Sequence, residues 1–224
     1  MKSMDYAQWY GKWISVALAI AIFAFFTIGL LRPRRKKDWK GAGILQAFFI
    51  SLFAEMFGFP LSIILFTSLF GGSYKKFGLF ESHLWAYLLS QTALMSLKSA
   101  VEMVMWISII LIGISFVLIA WGWFQIYRAK GRLVTNSLYS IIRHPQYLGL
   151  ILIILGFNIQ WPTLPTIIMA PILILMYLRL ARVEENELEK EFGDFYKIYR
   201  SNVHAFIPKI TLFTASSVSR QGSI

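Results

Sequence analysis

Cysteine is absent from the 224 residues, which removes disulfides, thiolate-ligated zinc and thiol nucleophiles from consideration. Charge is scarce and lopsided: Asp, Glu, Lys and Arg make up 15% of the chain, with 11 acidic against 22 basic residues, and there are only three histidines. Such a chain cannot coat a large water-facing surface with ionic groups. Hydrophobic side chains fill 57% of it, at a mean hydropathy of +0.61, outside the range of soluble domains. The sequence therefore reads as a membrane protein.

Crossing a bilayer core about 30 Å thick takes roughly 20 apolar residues. Runs of that kind occupy 13–31, 44–70 and 101–126. Two shorter ones, 148–159 and 164–178, flank Trp161-Pro162-Thr163-Leu164-Pro165 and read as a helical hairpin that is tilted, kinked or met by a thinned bilayer. The first run lacks a small-residue cleavage site and ends in Arg32-Pro33-Arg34-Arg35-Lys36-Lys37, so it is expected to remain as an anchor.

The net charge of +11 follows from where the basic residues lie. Blocks 32–40, 128–143 and 179–220 hold six, four and seven Lys and Arg, leaving Lys2, Lys12, Lys75, Lys76 and Lys98 elsewhere. Basic flanks are retained in the cytoplasm, which places the N-terminus outside, the C-terminus inside and these three blocks inside. No nucleic-acid partner is needed to account for the charge. The expected fold is all-α: a polytopic membrane bundle of about five transmembrane helices, closed by the C-terminal hairpin and a cytoplasmic amphipathic helix. Three segments are expected: N-terminal helices and an outer loop over 1–100, the hairpin domain over 101–213, and a disordered tail over 214–224.

Glu55 and Pro60 interrupt the second run, and a carboxyl group there must be neutral or hydrogen-bonded. Residues 71–100, with Lys75, Lys76, Glu81 and His83, read as the outer loop, with a partly apolar helix near 84–97. Trp121-Gly122-Trp123 followed by Arg128, Lys130 and Arg132 marks a membrane interface.

Ionisable groups concentrate in Arg143-His144-Pro145-Gln146-Tyr147-Leu148-Gly149 and in Glu184-Glu185. An antiparallel hairpin between them brings both pairs to the same end. Pro145 suits the first turn of a helix, and Gly149 permits close approach of a neighbouring helix or a ligand. Over 183–203, Leu188, Phe192, Phe195, Tyr196, Tyr199 and Val203 recur at helical spacing, predicting an amphipathic helix that starts near Glu184. Its acidic start suits the positive end of the helix dipole. Glu184, one turn before Leu188, points with the apolar stripe and calls for a nearby cation.

The pattern Leu133-Val134-Thr135, Tyr139, Arg143-His144-Pro145-x-Tyr147-x-Gly149, Glu184-Glu185-x-x-Leu188, Phe192-Gly193-x-x-Tyr196-x-x-Tyr199, Val203 and Pro208 resembles the isoprenylcysteine carboxyl methyltransferase and phospholipid methyltransferase superfamily of integral membrane enzymes. The resemblance implies methyl transfer from S-adenosylmethionine, without a metal, to a lipophilic small-molecule, lipid or lipidated acceptor in the membrane. It further implies that Arg143 and Glu184 sit nearest the transferred methyl. His144, Pro145, Tyr147, Leu148, Gly149, Glu185, Tyr139 and Tyr199 are then the implied cofactor-binding residues. Localisation in the inner membrane of a prokaryote, with a cytoplasmic active site, is the matching expectation. Membrane sterol reductases that bind NADPH share part of the motif but carry an acidic residue after the glycine, where this chain has Leu150. A transporter or scaffold that keeps the fold without the chemistry is the non-enzymatic alternative.

Overall fold

The structure is a computed structural model that describes residues 11–31, 36–59, 61, 62, 65, 84–92 and 94–208. The expected outer-loop residues Lys75, Lys76, Glu81 and His83 and the tail Thr214–Ile224 lie outside them. Among the described residues, all extended regular structure is helical: α1 Trp13–Leu31, α2 Lys36–Phe53, α3 Leu84–Gln91, α4 Leu97–Ala129, α5 Pro145–Gln160 and α6 Leu164–Asn202. Two segments, Leu97–Ala129 and Leu164–Phe192, are long and apolar enough to cross a bilayer. Shorter apolar stretches lie at Trp13–Phe26, Gly43–Gly58 and Pro145–Gln160.

Helix α2 begins earlier than the apolar run at 44 and does not continue as one helix to 70. It passes into a π-turn over Ala54–Gly58 and stops at Phe59, which is extended (φ −132°, ψ 117°). The residue before a proline is driven out of helical geometry, and Pro60 follows. Within that turn Glu55 is buried, and its Oε2 accepts from the Ser62 amide at 2.9 Å. The Ser62 hydroxyl in turn accepts from the Leu164 amide at 2.8 Å. Glu55 is thus hydrogen-bonded, and through Ser62 it ties the end of α2 to the start of α6.

The most extensive packing is α4 against α5, and small residues make it possible. Ser108, Ser115 and Gly122 recur every seven residues on α4, facing Gly149 and Gly156 on α5. A Cβ at Gly149 would lie 2.6 Å from Ile119 Cγ1 and 2.9 Å from the Ser115 carbonyl oxygen. One at Gly156 would lie 2.7 Å from Ile112 Cγ1. Where the backbones meet, the Ser108 hydroxyl donates to the Gly156 carbonyl at 3.0 Å.

Behind this pair, Phe48, Phe49 and Leu52 of α2 pack with Leu150 and Ile153 of α5 and Leu173 of α6 in one core. Phe23 of α1 joins it, 4.1 Å from Phe49 and 6.0 Å from Phe157 between ring centroids. A boundary at 100/101 accordingly falls inside the first turn of α4, and the core is shared across it.

Helix α5 starts at Pro145, as the proline predicts, and ends at Gln160. Thr163 then caps α6: its hydroxyl accepts from the Thr166 amide, and the Thr166 hydroxyl accepts from the Thr163 amide. Helix α6 runs through the expected start of a separate helix at 183 without a break. Glu184 and Glu185 are therefore mid-helix, and a helix-start dipole does not explain them. The interruption comes at Gly193, with φ 55° and ψ −131°, a conformation that side chains with a Cβ avoid.

The inward face nevertheless continues across that interruption at the same spacing. Before it the buried face is Thr166, Ala170, Leu173, Tyr177, Ala181 and Glu185. After it Tyr196 is buried, while Phe195 and Ile198 are each 63% exposed. With Leu188, Phe192, Tyr199 and Val203 all partly buried, the stripe expected from Leu188 to Val203 is present, and Phe195 is the member that does not belong to it.

Candidate active site

The site lies at the end of the α5–α6 hairpin away from the Trp161–Thr163 turn. Helix α4 ends in two left-handed residues, Lys130 (φ 48°) and Gly131 (φ 87°), which turn the chain back across its own terminus. A 3-10 turn over Ser137–Ser140 follows, held to α4 by the Trp121 indole N–H donating to Ser137 Oγ at 3.1 Å. Buried Tyr139 lies in this turn, with its hydroxyl 3.5 Å from the Gly122 carbonyl.

The chain beyond α6 returns along the motif. Ile142 and His204 form a parallel β-bridge, with the Arg143 amide donating to the His204 carbonyl at 2.9 Å and the His144 amide to the Ala205 carbonyl at 3.0 Å. The His144 ring is flanked by Tyr147 and Phe206, each 5.7 Å away between centroids. Backbone pairing and ring contacts together fix the two side chains that the motif presents.

Those side chains meet Glu185. Its Oε1 lies 2.9 Å from Arg143 Nη2 and 2.9 Å from His144 Nε2, and its Oε2 lies 3.6 Å from Arg200 Nε. Arg200 also reaches Glu189 at 3.1 Å, and its carbonyl accepts from Arg143 Nη1 at 3.4 Å. Sequence reasoning set Glu184 as the carboxylate in need of a cation, yet Glu185 carries this role. The buried stripe of α6 advances in steps of three and four and arrives at 185, so Glu185 points inward.

Glu184 instead faces a cavity of about 260 Å³. Its side chain is 41% exposed, with Oε2 3.8 Å from His144 Nδ1 and a hydrogen bond from Tyr147. Apolar walls come from Ile126, Leu133, Val134, Leu188 and Phe192, and polar groups from Arg132, Arg143, His144, Glu191 and three tyrosines. The volume is slightly below the roughly 300–1,000 Å³ of small-molecule clefts.

Burial raises the pKa of all three tyrosines. For Tyr139 and Tyr199 desolvation is the main cause, with the nearby Glu184 and Tyr196 respectively adding to it. Tyr196 is pushed up to about 12 by burial and by the Glu185 carboxylate. Each is a neutral phenol at physiological pH, a hydrogen-bond donor with no capacity to act as a base.

Of the residues expected at the site, Arg143, His144, Glu184, Tyr139 and Tyr199 line the cavity. Pro145, Tyr147, Leu148, Gly149 and Glu185 are not among its lining residues, for identifiable reasons. Gly149 is consumed by the crossing with α4, and Pro145 packs under Gly122. Tyr147 stacks on buried Tyr177, 6.0 Å between centroids, and Glu185 is enclosed by its cations. Leu148 is half-buried in the first turn of α5.

Sequence reasoning assigned no site role to Arg132, Glu191, Tyr196 or Arg200. The position of Tyr196 on the inward stripe, three residues before Tyr199, was the available signal. Among the described residues, no group of three or more His, Asp and Glu side chains is placed to hold a metal ion.

Residues 95–195 match the family model described as phospholipid methyltransferase, which belongs to the isoprenylcysteine carboxyl methyltransferase-type superfamily of membrane methyltransferases. The chain is also similar to the cobalt-zinc-cadmium resistance protein CzcN of Cupriavidus metallidurans, 32% identical over 111 residues. That alignment covers 48% of this chain and 51% of CzcN, so the chain spans about half the length of this curated relative. No solved structure matches.

Proposed function

From a helical membrane chain whose residues 95–195 match the phospholipid methyltransferase family, we propose an integral membrane enzyme that transfers a methyl group from S-adenosylmethionine to a lipophilic acceptor. The observation that carries this reading is the convergence of Arg143, His144 and Glu184 on one cavity at the end of the hairpin. Five spans are proposed, formed by α1, α2, α4, α5 and the first part of α6, with the N-terminus outside. Arg128, Lys130, Arg132, Arg179 and Arg182 flank the cavity end of these helices, which supports a cytoplasmic site. Helix α5 has 16 residues, about 24 Å at 1.5 Å each, so its ends sit in a thinned or interfacial region.

The cavity residues fit this methyl donor. Its sulfonium and ammonium are cationic, and Glu184 offers an accessible carboxylate. Its carboxylate needs donors, and Arg143 Nε and the Tyr196 hydroxyl are buried with no hydrogen-bond partner among the described residues. Its adenosyl part needs apolar and aromatic walls, which Ile126, Leu133, Leu188 and Phe192 supply. Bound there, the cofactor supplies a methyl group on cationic sulfur, open to in-line displacement.

The protein's part is to align donor and acceptor and to exclude water. Arg143 is engaged by Glu185 at 2.9 Å and by the Arg200 carbonyl, so a bidentate grip on an acceptor carboxylate would require breaking that pair. Glu184, held by Tyr147 and His144, is the carboxylate that faces the cavity without an arginine partner among the described residues. Its position supports an acceptor that gives up a proton on methylation, such as an amine or thiol, more than it supports an isoprenylcysteine-like carboxylate. The apolar wall supports entry of that acceptor from the bilayer.

Titration of purified protein should show binding of S-adenosylmethionine and S-adenosylhomocysteine and none of NADPH. Incubation with membrane lipid extract and a methyl-labelled donor should place label in a lipophilic product. Binding of NADPH without the other two would replace this reading with that of a reductase.

A further inference from the structure

Three tyrosine hydroxyls surround the cavity, and they are not equivalent. Tyr199 donates its hydroxyl proton to the Tyr139 carbonyl, and the Tyr139 hydroxyl is turned to the Gly122 carbonyl. Both serve to hold the link after α4 against α6. Tyr196 is 1% exposed, lines the cavity, and its hydroxyl has no partner among the described residues.

A buried phenol without a partner forfeits the hydrogen bond that it made in water, and native structures keep few such groups. Arg143 presents the same situation. Its Nη1 and Nη2 are engaged by the Arg200 carbonyl and Glu185, while its Nε–H is buried and unpaired among the described residues, in a side chain that lines the same cavity. Two unpaired groups thus belong to residues that line one cavity: a guanidinium N–H, which can only donate, and a neutral phenol, which can donate as well as accept. Tyr177 also has an unpaired hydroxyl, but it is enclosed in the apolar core and is absent from the cavity lining.

On this basis, and resting on the proposed methyl donor, we infer that Tyr196 is a ligand-binding residue, whose hydroxyl acts with Arg143 Nε–H to take the carboxylate of the donor's amino acid part. Glu184 is left for the cationic end of the same group. The donor-lined side and the acceptor-lined side of the cavity then set the direction in which the zwitterion lies. Tyr196 is placed inward by the same stripe that carries Glu185, Leu188 and Phe192. Tyr196 also lies one residue beyond the segment matched by the family model.

The probes are S-adenosylmethionine and its decarboxylated analogue, which keeps the sulfonium and the amine and lacks only the carboxylate. Affinities are measured by calorimetry on full-length wild type, Tyr196→Phe and Tyr177→Phe, with thermal unfolding to confirm the fold of each. Wild type should bind S-adenosylmethionine about tenfold or more tightly than the analogue, as expected for hydrogen bonds to a charged group. Tyr196→Phe should lose about tenfold toward S-adenosylmethionine and keep wild-type affinity for the analogue. Tyr177→Phe should bind both as wild type does. Equal weakening toward both probes in Tyr196→Phe, or no weakening, overturns the inference while leaving the methyl donor in place. Failure of wild type to bind either probe overturns the donor reading itself, and the inference with it.

Discussion

The two adjacent glutamates should respond in opposite ways to the same substitution. Glu185→Gln removes the one negative charge that Arg143 and His144 share at 2.9 Å, in a side chain only 7% exposed. The guanidinium is itself 10% exposed, so it is left without its counter-charge and without full access to water. Breaking a buried pair from one side costs about 3–5 kcal/mol, and the isosteric amide, which keeps part of the hydrogen bonding, belongs near the lower figure of about 3. At about 2–4 °C per kcal/mol for a chain of this size, the unfolding midpoint should fall by roughly 6–12 °C. Glu184→Gln changes a side chain 41% exposed, whose nearest ring nitrogen is His144 Nδ1 at 3.8 Å. Its stability should stay within about 1 kcal/mol of wild type. Methyl transfer should nevertheless be lost, because the carboxylate facing the cavity is gone. Thermal unfolding in detergent together with a transfer assay separates the two effects. A wild-type melting curve for Glu185→Gln, or a Glu184→Gln protein that melts as early, would show that the buried network has been assigned to the wrong acid. Arg143→Ala is the weaker experiment, since it strands Glu185 and touches the cavity at once.

Gly149→Ala should destabilise by about 1–3 kcal/mol, because its methyl would meet the Ser115 carbonyl at 2.9 Å as well as the more yielding Ile119 side chain. Gly113→Ala on the same helix as Ser115 meets nothing within 4 Å and should melt at or above wild type, so equal behaviour of the two variants would contradict the tight α4–α5 crossing. Gly193→Ala finds open space for its Cβ but an unfavourable backbone at φ 55°, ψ −131°, at a cost of about 1–3 kcal/mol. Hydrogen exchange should then quicken across 194–206, and unchanged protection there would mean that the break does not depend on glycine.

The hairpin was legible from composition alone. Two apolar runs separated by prolines have few other ways to satisfy a bilayer, and the charges at their outer ends are then carried to a common level. Pro145 marked the start of α5 because it suits the first turn of a helix, and Glu55 was readable as neutral or hydrogen-bonded because hydrocarbon penalises a bare carboxylate; the Ser62 amide supplies the hydrogen bond. Gly149 was ambiguous for an equally physical reason. A missing Cβ signals close approach but not what approaches, and here it is helix α4.

Which glutamate turns inward could not be read from the chain, because neighbouring residues on a helix differ by about 100° and the phase depends on how α6 leans on α2 and α5. The break at Gly193 was hidden too, since a glycine in a helical pattern does not announce a positive φ, although the inward positions Tyr196, Tyr199 and Val203 beyond it kept the expected spacing. The returning segment at His204 and Ala205 is held by backbone amides and carbonyls, which nearly every residue possesses, so no side-chain pattern announces it. The sequence alone therefore determined an apolar helical hairpin bearing opposite charges at one end. Only the packed helices decided that Glu185 would be locked to Arg143 and that Glu184 would face the cavity.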